Sequence, residues 1–159
     1  MDGDDRSIGS AVLHGALAGV VGGLALMTVE RLEQQVLLPS GETGKTMGTM
    51  AADAIASSRG TTLSGAPREL AGVGLQLGYC AVLGAALGVL RQRMKSPPLV
   101  QGLALAAASY AATNSTGGVL PRIGAAPAPT EQPIEKTLVP IGAHLAFGVA
   151  TAIAYDAGA

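Results

Sequence analysis

The sequence predicts an all-α protein, a polytopic membrane bundle of four transmembrane helices with a trace of two repeated helical hairpins. Three observations lead there. The 159 residues are 48% hydrophobic and 13% charged, with mean hydropathy +0.41, whereas a soluble domain carries about a quarter charged residues. The charges cluster and leave four charge-free windows, Ser7–Val29, Leu70–Leu90, Ser96–Pro121 and Thr137–Tyr155, of about 23, 21, 26 and 19 residues, near the ~20 that cross a ~30 Å hydrocarbon core as a helix. The second window ends in Arg91, Arg93 and Lys95 within five residues, a short cationic hairpin of the kind retained on the cytoplasmic side. The feature that fits a soluble helical bundle instead is the low aromatic content, 3% with no Trp for an interfacial belt.

The first element begins near Ile8, after an acidic Met1–Arg6 whose charge is wrong for a secretory signal, so the apolar run is expected to be retained. The span covers about residues 8–30, and helical spacing of Val29, Leu32 and Val36 predicts an extension beyond the bilayer that Pro39 stops. The loop 39–69 is rich in Gly and nearly neutral, with Lys45, Arg59 and Arg68 against Glu42, Asp53 and Glu69, and with a short helix over Thr46–Ser57. The second span is 70–90. The third, about 99–120, is dominated by Ala and small polar residues and is expected in the middle of the bundle, because small residues permit close helix contact. Pro121–Pro133 reads as a stiff extended connection. The last span, about 136–156, carries Pro140 as a kink in its first turn. With the cationic hairpin inside, both termini are cytoplasmic and the protein is a multi-pass component of the cell (inner) membrane.

Gly15, Gly19 and Gly23 recur at every fourth residue, as do Gly74 and Gly78, then Gly84 and Gly88. In lipid, such stripes bring helix backbones together. They serve either a homo-oligomer or larger membrane complex, or packing within one chain, and the second reading is preferred. The run Pro39-Ser40-Gly41-Glu42-Thr43-Gly44-Lys45-Thr46 imitates a phosphate loop, but Pro39 stands where that loop has Gly and offers no N–H, so no nucleotide is expected. A net charge of −1 leaves no basic face for nucleic acid.

At a rise of ~1.5 Å per residue, Gln76 and His144 both fall about 9 Å below the outer surface, with Asn114 close to that level and Tyr79 and Tyr110 one turn deeper. These five form a candidate polar layer, read as interhelical hydrogen bonding in preference to a path for solutes. His14 lies too far along the membrane normal to share a metal with His144, the lone Cys80 has no partner for a disulfide, and neither a metal nor a cofactor is expected. No carboxylate pair, backed nucleophile or cofactor loop suggests an enzyme.

The segment Gly74-Leu75-Gln76-Leu77-Gly78-Tyr79 is echoed by Gly142-Ala143-His144-Leu145-Ala146-Phe147, and His14-Gly15 more faintly by Gln101-Gly102, as two hairpins related by an axis along the membrane normal would require. With Gly148, Gly78-Tyr79-Cys80 and the four-span layout, these residues resemble the YagU-like small inner-membrane proteins. That resemblance covers the second to fourth spans. It implies a membrane location and an association with acid resistance, with no catalytic residues; the family's His in the second helix is replaced here by Gln76. The function expected is structural or accessory, through helix association, the alternative being a proton-responsive or solute-conducting pore around His144.

Overall fold

The computed structural model describes residues 7–37, 45–93 and 95–158 and is all-helical, with no strand among them. Four long helices, α1 (Ile8–Leu37), α3 (Gly65–Arg91), α4 (Pro98–Asn114) and α6 (Ile134–Ala157), are joined by a short α2 (Met47–Ser58), a one-turn α5 (Val119–Arg122) and a 3₁₀ turn (Pro129–Glu131). Pro39, residues 40–44 of the phosphate-loop imitation, the acidic 1–6 and Met94 lie outside the described residues.

Helix α2 forms where the sequence places it because both its ends are satisfied locally. The Thr46 hydroxyl accepts from the Thr49 N–H (3.2 Å) at the start. At the end, Gly60 adopts φ +68 while its N–H reaches Ser57 O and that of Thr61 reaches Ala56 O, each at 3.0 Å. Those bonds close a Schellman stop that a residue with a Cβ would strain.

Helix α1 packs on both α3 and α6, while α4 packs on α6 and meets α3 at few points. The order across the bundle is therefore α3, α1, α6, α4, loosely closed. Glycines set the closest approaches. A Cβ on Gly15 or Gly19 would collide with the backbone of Gly84 or Cys80, and one on Gly88 with the Ala11 carbonyl, so α1 and α3 touch main chain to main chain. Gly23 rests against Leu77 and Cys80. Three further pairings were not read from the sequence: Gly22 of α1 against Phe147 and Thr151 of α6, Gly102 of α4 against Gly148, and Gly48 of α2 against Gly72.

Several expectations are corrected. Within the chain, a Cβ on Gly74 or Gly78 would meet no described group within 4 Å, so these two glycines lie on an open face of α3, unlike Gly84 and Gly88. The third span does not run to residue 120: α4 ends at Asn114, the Ser115–Gly118 turn intervenes, and Gly118 sits so close to the Thr113 carbonyl that no side chain fits. Helix α4 also lies at the edge of the row, since it buries only one stripe, Gln101, Gly102, Ala106, Ser109 and Thr113, and leaves Leu99, Val100 and Leu103 exposed. Pro121–Pro133 is compact, because α5 and the 3₁₀ turn fold it back. The two-hairpin equivalence fails on position, as α1 is internal and its supposed counterpart α4 is at the edge.

The core gathers at the α2 end, where Leu26, Met47, Cys80, Leu120, Ala143 and Phe147 are buried together. Phe147, the only Phe in the chain, has no exposed surface.

Candidate functional site

Beyond Val29 the first helix changes character, and that change builds a site. The expected apolar face is not the buried one: Leu32 and Val36 are exposed, whereas Glu30 and Gln34, one turn apart, are buried. The cause is α2, whose first residue needs an acceptor. The Met47 N–H donates to Glu30 Oε1 at 2.9 Å, and Gln34 Nε2 donates to the Lys45 carbonyl at 3.1 Å. A carboxylate at a helix N-terminus meets free N–H groups and the positive end of the dipole.

Only half of that carboxylate is accounted for. Glu30 is 4% exposed, and its Oε2 has no hydrogen-bond partner. Glu33 Oε2 is likewise buried and unpartnered among the described residues, while the Glu33 carboxylate accepts from the Ala143 N–H of α6 and fills the space a side chain at Gly142 would need. Buried polar atoms in native proteins are nearly always paired, so each such oxygen calls for an explanation.

Glu30 lies in the wall of a cleft of about 910 Å³ at this end of the bundle. Its deep residues, Glu30, Met47 and Leu120, are buried, whereas Ser57, Gly124 and Glu131 at its mouth are exposed. Tyr110 and Asn114 of α4 and Thr137 and Pro140 of α6 complete one wall. Asp53 of α2 also faces it, held by Arg68 through two 2.7 Å hydrogen bonds. The hydrogen bonds and charge of that guanidinium keep the Asp53 carboxyl below the usual carboxylate range.

The five residues of the expected layer do not form one network. His144, 2% exposed, has its Nδ1 2.7 Å from the Pro140 carbonyl on its own helix, so that nitrogen donates. Its ring stands edge to face with Tyr110 at 5.5 Å, and the Tyr110 hydroxyl donates to Thr137 O at 3.0 Å. Tyr79 instead accepts from the Thr113 hydroxyl at 3.0 Å, a link across the loose side between α3 and α4. Asn114 Nδ2 reaches Met47 Sδ at 4.0 Å. Gln76 is buried against Gly48 of α2, with its amide 3.9 Å from Cys80 Sγ. Tyr110 and His144 are thus brought together, and Gln76 is turned away from both. Only Tyr110 and Asn114 of the five reach the large cleft.

At the opposite end, Arg91 is more than a topology signal. It pairs with Asp156, stacks 4.7 Å above the Tyr155 ring and reaches Ala152 O at 3.4 Å. His14 Nε2 donates to the Tyr155 carbonyl at 2.9 Å, with the two rings edge to face. Arg93 and Lys95 remain exposed. Sequence reasoning missed both this cluster and Glu30. A visible trace of the latter was an acid directly following the charge-free window, four residues before a Gln on the same helix face. No family model, curated protein or solved structure matches this chain.

Proposed function

We propose that this protein is a small polytopic membrane protein whose α1, α3, α4 and α6 cross the bilayer, and that its role is structural or accessory, exerted through helix association rather than catalysis. The observation that carries this reading is the apolar outer surface. The outward surface of all four helices is apolar, with Leu17, Val21 and Leu24 on α1, Leu70 and Val82 on α3, Leu99 and Leu103 on α4, and Leu145 and Ile153 on α6 all exposed. Beneath that surface, buried Gln76, Gln101, Ser109, Thr113, His144 and Thr151 are interleaved with buried apolar residues such as Leu26, Leu87, Ala106 and Phe147. Water would penalise so continuous an apolar surface, whereas lipid is its natural solvent.

Helices α1 and α3 are each long and apolar enough to cross a membrane. Helix α4, with 17 residues, rises about 25 Å, close to the hydrocarbon thickness. The cationic Arg91–Lys95 hairpin supports a topology with both termini on the cytoplasmic side of the cell membrane and α2 and α5 outside. The resemblance to the YagU-like proteins extends the proposal to a part in acid stress, and helix association would place the protein in a homo-oligomer or a larger membrane complex. The pore reading has less behind it, because His144 satisfies its donor within its own helix and Phe147 plugs the interior beside it.

The topology is tested with single cysteines in a Cys80→Ala background. A cysteine at Ser57 reacts with an impermeant maleimide in intact cells, and one at Ser96 reacts only after lysis; labelling of the Ser96 variant from outside sinks the arrangement. Mass measurement of the detergent-extracted protein together with its copurifying proteins tests the accessory role, which a lone monomer contradicts.

A further inference from the structure

We propose that the cleft beside α2 is a binding site for a small organic cation, whose ammonium group pairs with the Glu30 carboxylate. The argument begins with what the carboxylate lacks. A carboxylate has two oxygens and about four acceptor positions. In Glu30 one oxygen takes the Met47 N–H and the other takes nothing, although the residue is 4% exposed. Among the described residues, no Lys, Arg or His forms an ion pair with it. Leaving a buried carboxyl oxygen without a partner costs about 2–7 kcal/mol on the harsher scales, and a donor that reaches the carboxylate from the cleft recovers part of that cost.

The shape and chemistry of the cleft select the donor. Its volume of about 910 Å³ falls within the range of pockets that hold small molecules, roughly 300–1,000 Å³. A bare metal ion suits it poorly: among the described residues no three His, Cys, Asp or Glu side chains converge on one point, and hard cations want six or more oxygens. The walls combine Glu30 with apolar Met47, Leu120 and Pro140 and with the Tyr110 ring. An acid beside the apolar patch of Met47, Leu120 and Pro140 in an otherwise mixed wall fits an ammonium head on a hydrocarbon body, the head paired with the carboxylate and the body against Leu120 and Met47. Glu131 nearer the mouth adds attraction for the same charge, whereas Lys45 opposes it and the Asp53 carboxylate is already paired with Arg68. This inference concerns binding alone and holds whichever way the protein faces.

The test uses the full-length protein purified in detergent at neutral pH and three six-carbon probes: hexylammonium, hexanol and hexanoate. Hexylammonium is expected to raise the unfolding temperature saturably, as a ligand of the folded state does, and to be retained in equilibrium dialysis, while hexanol and hexanoate give no saturable shift. Glu30→Gln keeps an oxygen for the Met47 N–H but removes the charge, and it weakens hexylammonium binding about tenfold or more, each decade being about 1.4 kcal/mol. Equal shifts with hexanol mean partition into apolar space and overturn the proposal. Unchanged affinity in Glu30→Gln overturns it too, as does displacement of hexylammonium by micromolar Ca²⁺ or Mn²⁺, which would assign the site to an inorganic ion. Should Glu30→Gln fail to fold, the comparison of hexylammonium with hexanol on the wild-type protein decides alone. Because these measurements involve neither topology nor partners, a failure here leaves the membrane arrangement standing, and the reverse.

Discussion

Arg91 shows how much a single side chain adds once its neighbours are known. In the sequence it is one of three cations after an apolar run, and in the structure it ties the end of α3 to the end of α6 through Asp156 and the Tyr155 ring. Lysine keeps the charge and loses the planar stack and fork. Arg91→Lys is therefore expected to preserve topology while lowering stability by about 1 kcal/mol, the scale of a partly desolvated cation–π contact, as read from thermal unfolding in detergent; an unchanged midpoint means the contact contributes nothing. Asp53 offers a second residue-scale prediction. Its folded pKa lies below the unfolded value because Arg68 hydrogen-bonds and attracts its ionised form. The stabilisation is thus complete above the unfolded pKa of ~3.9 and disappears as pH falls through the lower folded value. Melting curves of the wild type and Asp53→Asn should be separated near pH 6 and converge towards pH 3; a constant separation removes the charge from the explanation.

At the scale of elements, the glycine stripes make opposite predictions at positions only six residues apart. Gly84 abuts the Gly15 and Gly19 backbones, so Gly84→Ala must push α1 from α3 and is expected to cost about 1–3 kcal/mol, as overpacking does. Gly78 faces open space, and Gly78→Ala is expected to leave stability unchanged or raise it by up to about 1 kcal/mol, since Ala is the better helix former. Destabilisation or a changed particle mass in Gly78→Ala would reveal a second copy on that face. The sequence distinguished neither case, because a repeat of four residues marks a stripe on a helix without saying which neighbour, if any, lies opposite. Helix existence was legible from hydropathy, and α2 from Thr46 and Gly60, where local hydrogen bonds decide the outcome. The break after Asn114 was harder, since its Gly and Ser residues are tolerated in membrane helices and here give way to a turn packed on the Thr113 carbonyl.

For the whole molecule, reading depth along independent helices set five polar residues at one level, but level is not direction. Gln76 and His144 share a depth and still face different partners, α2 in one case and Tyr110 in the other. Glu30 was overlooked for a related reason: the apolar pattern of Val29, Leu32 and Val36 favoured a different face, and only the arrival of α2 gave the buried face its polar task.

The central place of α1, with α3 on one flank and α6 on the other, has a consequence for biosynthesis. The ribosome delivers α3 soon after α1, so their backbone contact can form while the chain is still growing, but α6 is the last helix made. Until it emerges, the Gly22 flank of α1 and most of the packing stripe of α4 lack their neighbour in α6 and, in the proposed membrane arrangement, are left to lipid or to the insertion machinery. A chain truncated after Gln132 should therefore insert α1 and α3 as a protease-resistant pair and leave α4 open to digestion, and coexpression of the missing last helix should restore its protection. Protection of α4 in the truncated chain without that helix would show that it is held by something other than α6.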